Sequence, residues 1–238
     1  MKDKGILYGT GVGPGDPELI TVKALKTMAA CDYVAFIDPG SSRRAVAYEI
    51  ARAALPEIER KEKIRLDIPM TTDKAAMRSY HVRALALIAE KLNAGSDVCF
   101  LSLGDISVYS TFGYLRKLAR EAGFETRAVS GIPSFCASAA ALDIDLALGE
   151  QNLHIFCASD TNLDAALALG GTRVFMKGPS GMPRVIEAVK KRVLDAALVS
   201  NCGMENEILV ASVRGMGECK GAGYYSLIIV RDGEGGKT

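Results

Sequence analysis

The segment Gly9-Thr10-Gly11-Val12-Gly13-Pro14-Gly15-Asp16 constrains the fold more than any other part of the chain. It begins inside a short apolar run at 6–12 and ends in Asp16-Pro17-Glu18. Without a Cβ, glycine reaches positive φ and lets one backbone come close to another or to a ligand. Asp16 can cap a helix, Pro17 suits its first position, and Glu18 complements its dipole. A strand, a tight glycine turn and a capped helix in succession open an α/β domain and offer backbone amides to a ligand. The helix so begun is expected to bury Leu19, Val22, Leu25 or Lys26, and Ala29. Two phosphate-binding loops do not fit. Read as GxGxxG from Gly9, the last glycine falls on Pro14; read from Gly11, it falls on Asp16. Asp32 does lie at a ribose partner's usual distance. No Gly-Lys-Ser/Thr follows, so the loop is not a Walker A loop.

The same alternation continues downstream. Strands are expected at 33–37, 64–68 and 98–103. Helices are expected at 44–55, from Thr72 or Asp73 to about 92, and around Tyr114, Leu115 and Leu118. Special loops then fall at strand carboxyl ends, where open α/β sheets bind ligands. After Gly123 the texture changes. A linker strand at 124–129 leads to an alanine-rich helix at 135–142. Apolar runs at 153–157, 174–176, 197–200, 208–213 and 225–230 can form a second sheet, punctuated by helices at 163–169 and 182–191. The fold expected is α/β: two lobes, residues 1–124 and 125–238, each a mixed sheet flanked by helices, with an active-site cleft between them. Residues 233–238 read as a frayed tail.

Composition narrows the function. The chain has 238 residues, 49% of them hydrophobic, and a net charge of +1. A near-neutral balance argues against nucleic acid as partner. Cys31, Cys99, Cys136, Cys157, Cys202 and Cys219 form no CxxC pair, and several sit in apolar runs, which suits free thiols in a reducing cytosol. His81 and His154 have no clustered partners, so no metal site is expected and both histidines read as structural. There is no apolar run of bilayer length and no signal-like segment. A cytoplasmic protein with no membrane partner is expected.

Several motifs, in order, resemble the tetrapyrrole methylase family (class III methyltransferases). Gly11-Val12-Gly13-Pro14-Gly15-Asp16-Pro17-Glu18-Leu19-Ile20-Thr21 is similar to that family's GxGPGDPxLLT opening. Leu103-Gly104-Asp105 stands at its GGDP loop, and Gly131-Ile132-Pro133-Ser134 resembles its GI[TP][AS] segment. Val174-Phe175-Met176-Lys177 and Tyr225-Ser226-Leu227-Ile228-Ile229-Val230 resemble later strands. Gly104-Asp105-Ile106-Ser107-Val108-Tyr109-Ser110-Thr111-Phe112 is most similar to the precorrin-2 C20-methyltransferases, with Ile106 where their loop has proline. Losing that fixed φ is expected to loosen the loop.

The resemblance implies S-adenosylmethionine as co-substrate and a tetrapyrrole, precorrin-2 or cobalt-factor II, as acceptor in cobalamin biosynthesis. It implies a homodimer. Pro14 would line the mouth of the cofactor site. Leu103, Gly104, Asp105 and Val108 would contact the amino-acid end and ribose, and Pro133 and Ser134 the methionine part. Met176 or Lys177, Cys202, and Tyr225 or Ser226 would surround the adenine. Arg43, Arg44 and Lys177 are candidates for the acceptor's carboxylates. No residue declares itself as the base for the departing proton; Asp105 and Tyr109 are the candidates. Other branches of the family use a protein histidine or ribosomal RNA as acceptor. A nucleotide-dependent oxidoreductase is the rival outside it.

Overall fold

Runs such as Val98-Cys99-Phe100-Leu101 carry no polar alternation, so a strand made from them must be covered on both faces. The computed structural model describes residues 4–38, 40, 44–69, 71, 73–178, 180–213 and 223–232. The expectations for Arg43, Thr72, Cys219 and the 233–238 tail lie outside those residues. The chain resolves into two compact units, Met1–Pro133 and Ser134–Thr238.

In the first unit, β1 (Leu7–Gly11), β2 (Tyr33–Ile37), β3 (Glu62–Leu66), β4 (Val98–Ser102) and β5 (Thr126–Val129) form one sheet in the order β3-β2-β4-β1-β5. Every pairing in it is parallel. This corrects the mixed sheet expected for this lobe: each connection crosses back over a face of the sheet, which preserves strand direction. The segment expected as a linker strand is β5, paired along β1 from Leu7↔Thr126 to Thr10↔Val129. The partition therefore falls after Pro133 rather than at the expected 124/125 boundary.

Successive strand residues serve opposite cores. Leu7, Val98 and Phe100 pack with α3 (Lys74–Asn93) and α4 (Phe112–Glu121). Val34, Phe36, Cys99 and Leu101 pack with α1 (Val22–Ala30) and α2 (Val46–Ala54). Cys31 and Cys99 are free and buried; a thiol–thiol hydrogen bond, then burial, push the Cys31 pKa upward, which keeps it protonated.

The helix expected to start at Asp16 is split. Asp16 does cap, accepting from Glu18 N–H at 2.8 Å, but it caps only a single 3-10 turn, Pro17–Leu19. Ile20 is extended, and Thr21 caps α1 by accepting from Ala24 N–H at 3.2 Å. The restart rotates the buried face to Ala24 and Met28 and leaves Val22 exposed.

The second unit opens with α5 (Ser134–Ala141) and holds β6 (Leu153–Cys157), β7 (Thr172–Met176), β8 (Asp195–Ser200), β9 (Ile208–Val210) and β10 (Ser226–Arg231). Their order is β6-β7-β10-β8-β9; only β6 and β7 are parallel, so this sheet is mixed as expected. α6 (Leu163–Leu167) and α7 (Met182–Lys191) lie in its connections, and Met182, Val185, Ile186 and Val189 pack on Phe175, Leu198 and Ile228.

A charge pair anchors the far end of this sheet. Arg173 on β7 is buried and donates to Asp232 and to the carbonyl of Gly171, while Asp232 also accepts from Gly171 N–H at 2.6 Å. Partial burial raises the Asp232 pKa, but the hydrogen bonds from Arg173 and Gly171 outweigh it and hold the carboxyl below its ordinary value. A depressed carboxyl stabilises the fold above its unfolded pKa, and that contribution is lost as pH falls through the folded value. The Asp232 side chain is 45% exposed, so Asp232→Asn is expected to cost about 1–2 kcal/mol near neutral pH rather than a fully buried pair's several. Urea unfolding of both proteins checks this: the gap should close below about pH 4, and a gap constant down to acid pH would contradict the assignment.

Candidate functional site

The strand order sets β1 between β4 and β5, so the loops leaving their three carboxyl ends emerge side by side. That is the crevice position of an open parallel sheet. The loops meet backbone against backbone. Gly104 N–H donates to Gly13 O at 2.8 Å, and Gly13 N–H returns a bond to Gly104 O at 3.3 Å. A Cβ placed on Gly11 would stand 2.6 Å from both Gly104 O and Gly131 N; one placed on Gly131 would stand 2.3 Å from Gly104 O. Only glycine at 11 and 131 permits this three-way contact. Gly13 and Gly104 also adopt positive φ, at 75° and 73°.

Asp105 ties the junction together. It is buried; one carboxylate oxygen accepts from Gly131 N–H at 2.9 Å, the other from Ser107 N–H at 2.8 Å and from the Ser107 hydroxyl. Its side chain holds two loops in place, and with both oxygens so engaged it is poorly placed to act as a base. The 103–109 loop is closed at its root by a 2.8 Å hydrogen bond between Ser102 Oγ and Ser110 Oγ, and Ser110 Oγ accepts from Phe112 N–H at 3.1 Å. Ile106, where the family has proline, is buried in the core under α3 and α4. Apolar burial of its side chain thus holds the loop at the position where a proline would fix φ. Tyr109 is exposed at φ 49°.

Of the predicted residues, the first unit thus gathers Pro14, Leu103, Gly104, Asp105 and Pro133 around one junction. Pro14 is buried, where the mouth of a site was expected; Leu103, Val108 and Pro133 are half-buried. Asp32 is elsewhere. It precedes β2, at the amino end of the sheet, and its carboxylate accepts from Asp97 N–H at 2.9 Å, so it cannot serve as the ribose partner that its spacing suggested.

In the second unit Ser134 opens α5. Met176, Lys177, Cys202 and Tyr225 fall at one end of the second sheet, because β10 starts where β7 and β8 stop. Lys177 and Asn201, just past those strands, both take positive φ, at 53° and 52°. Asn201 N–H donates to Tyr225 O at 3.0 Å, and Ser200 Oγ bonds Ser226 Oγ at 2.6 Å. Lys177 Nζ donates to Tyr224 Oη at 3.1 Å and lies over its ring; its carbonyl accepts from Cys157 Sγ at 2.8 Å. Lys177 is thus committed to Tyr224. Met176 and Cys202 are buried and Tyr225 is exposed.

Ser107, Ser110 and Tyr224 were missed as supporting residues. The signal for Ser107 was present, since an Asp two residues before a serine is a turn-forming spacing; Tyr224 is brought in by strand pairing alone. His154, on β6, has its Nε2 3.2 Å from Gly170 O. Arg44 lines a cavity of about 460 Å³ with Phe36, Asp38, Tyr48 and Arg65. Arg65 pairs with Asp38 at 3.1 Å.

Together, a doubly wound parallel sheet with a glycine junction at its crevice and a mixed second sheet define a two-unit α/β ligand-binding class. A family model described as Tetrapyrrole (Corrin/Porphyrin) Methylases matches residues 6–215, and the chain belongs to that family. It is 37% identical over 149 residues to a probable cobalt-precorrin-2 C(20)-methyltransferase of Methanocaldococcus jannaschii; the match spans 63% of this chain but 62% of that relative. It is 28% identical to a precorrin-2 C(20)-methyltransferase of Sinorhizobium sp. over 95% of both chains. Its fold matches that of uroporphyrin-III C-methyltransferase from Thermus thermophilus complexed with S-adenosylhomocysteine, with TM-score 0.66, 20% identity and coverage of 95% and 97%.

If Asp105 is a clip, removing its acceptors must free the amides it holds. Asp105→Ala is expected to cost about 2–4 kcal/mol, for two or three lost buried hydrogen bonds, and to speed hydrogen exchange at Gly131 and Ser107. Asp105→Asn should retain part of both. Unchanged exchange in the alanine variant, together with lost activity in both, would instead mark Asp105 as an acid–base group.

Proposed function

We propose that this protein is an S-adenosylmethionine-dependent C-methyltransferase that methylates C20 of precorrin-2 or cobalt-factor II in cobalamin biosynthesis. The observation that carries the reading is the side-chain-free junction of Gly11, Gly104 and Gly131 at the crevice of the parallel sheet. It suits a bent nucleoside sulfonium, whose polar groups need main-chain partners at close range and whose methyl must stay uncovered. Pro14, Leu103, Gly104, Asp105, Val108, Pro133 and Ser134 are assigned to its amino-acid and ribose portions, with Asp105 acting through the loop it holds. Met176, Lys177, Cys202 and Tyr225 are assigned to its adenine. The names of the Methanocaldococcus and Sinorhizobium relatives support C20 as the methylated position, and so does the Gly104–Phe112 segment. A cytoplasmic homodimer belongs to the same reading.

S-adenosylmethionine, when bound, supplies a methyl group already activated on sulfonium sulfur. Transfer forms a carbon–carbon bond at C20, leaves the electron pair of the broken C–S bond on sulfur, and releases one proton from C20. What the chain must provide is orientation, and alignment of reacting atoms alone can lower a barrier by up to about 7–11 kcal/mol. A rigid junction serves that need. Arg44 and Arg65, in the cavity at the carboxyl ends of β2 and β3, are cations suited to the acceptor's acetate and propionate groups.

Incubation with methyl-labelled S-adenosylmethionine and either precorrin-2 or cobalt-factor II should give a product heavier by one methyl in place of a hydrogen, with the label at C20 by NMR. Label at another carbon, or in protein or RNA, would overturn the assignment. Gly11→Ala should weaken S-adenosylmethionine binding by about 100-fold or more by calorimetry, because a methyl there collides with two backbones that cannot yield cheaply. Wild-type affinity in that variant would remove the junction from the site.

A further inference from the structure

The first unit holds a second cavity, of about 560 Å³, between α3 and α4. None of its described lining residues belongs to the glycine junction or to the 103–109 loop. Lys74 and Arg78 on α3 and Lys117 on α4 supply three cations, and Glu121 is the one carboxylate among the described lining residues. No ion pair engages any of these four among the described residues. Salt bridges form readily elsewhere on this surface, as at Arg52 with Glu49 and Glu59, so an excess of unpaired positive charge around a concavity is a specific feature.

The cavity also has an apolar and aromatic side. Met77 and Leu118 line it, and the Tyr114 ring lies parallel to the His81 ring, with centroids 4.8 Å apart. Tyr114 is 62% exposed, a large apolar surface to leave in water, whereas His81 is 4% exposed. His81 Nε2 has no hydrogen-bond partner among the described residues, which an imidazole nitrogen buried this far rarely tolerates. Burial also shifts the His81 pKa downward, so the ring is neutral near physiological pH.

We propose that the α3–α4 cavity is a binding site for a small aromatic or unsaturated anion, its ring against Tyr114 and its carboxylate or phosphate groups on Lys74, Arg78 and Lys117. The volume lies within the usual range for small-molecule sites, roughly 300–1,000 Å³. Cations on two helices converge on it, and charge-assisted bonds to an anion would be stronger than those to a neutral ligand. A sulfonium nucleoside is excluded by its charge. The occupied cavity would abut α4, whose first residue, Phe112, packs against Gly9 of β1.

The histidines make the test direct, because the chain has only two. Nitrogen-15 imidazole spectra of the full-length protein would be followed during titration with phenyl phosphate and, separately, with phthalate. The His81 resonances should move saturably with one or both probes, and those of His154 should not. Whichever probe binds more tightly identifies phosphate or carboxylate as the natural head group. Lys74→Gln combined with Lys117→Gln, two exposed positions, should weaken that binding by about tenfold or more and leave the amide spectrum otherwise unchanged. Saturating S-adenosylmethionine should not displace the probe. Silence at His81 with both probes at about 10 mM, equal binding by the double variant, or displacement by S-adenosylmethionine would each overturn the proposal. None of these readouts needs methyl transfer, so they stand or fall apart from the catalytic assignment.

Discussion

Three backbones in contact govern the first unit. Gly11, Gly104 and Gly131 come closer than any side chain allows, and much of the surrounding architecture can be read as what makes that approach possible. The strand order places β1 between β4 and β5, and parallel direction brings all three carboxyl ends to one edge. Glycine is also required one residue pair back: a Cβ on Gly9 would stand 2.4 Å from the Phe112 ring, so the start of α4 is seated directly under the strand that feeds the junction. These two glycines, two residues apart and so on one face of β1, thus do different work. Gly9 admits an aromatic ring from one core, and Gly11 admits two neighbouring backbones.

This is why so much of the first unit was legible in the sequence. A glycine-rich turn after a strand has few physical uses, and strands buried on both faces announce themselves as unbroken apolar runs. Strand β2 was read to the residue, and the cap at Asp73 was one of two positions named. The errors share a cause. Asp16 and Thr21 are both good caps, and local chemistry cannot decide which begins the longer helix; packing of Ala24 and Met28 against the sheet does. The pairing of β5 with β1 joins residues more than 100 positions apart, beyond anything periodicity records. Asp32 had the right spacing from the glycines but stands at the amino end of its strand, because distance along the chain says nothing about which end of a sheet a residue occupies.

The second unit holds its predicted residues differently. Met176, Lys177, Cys202 and Tyr225 are gathered by strand pairing rather than by close backbone contact. β10 runs antiparallel between β7 and β8, so the first residues of one strand lie beside the last of two others. Immediately beyond, Lys177 and Asn201 take left-handed conformations that ordinary side chains resist. Such strain persists where the surroundings over-determine it. Here they do so through the Asn201–Tyr225 backbone bond, the Ser200–Ser226 hydroxyl pair and the Cys157 thiol on Lys177 O. None of these contacts could be found from local pattern, because each joins strands distant in the chain.

The fate of Asp105 links this architecture to chemistry. In a site built for proton transfer, a buried carboxylate would keep an oxygen directed at substrate. Here both oxygens bond Gly131 and Ser107, fixing the distance between two of the three loops. Ile106 adds a second constraint by burying its side chain one position further along, and the serine pair at 102 and 110 closes the loop's root. These three devices leave a short loop very little freedom. The reaction proposed for this chain, whose methyl donor is already activated, would gain little from a stronger base and much from a fixed line of attack. The loop's few polar side chains are accordingly spent on rigidity, which is the arrangement orientation-dominated catalysis calls for.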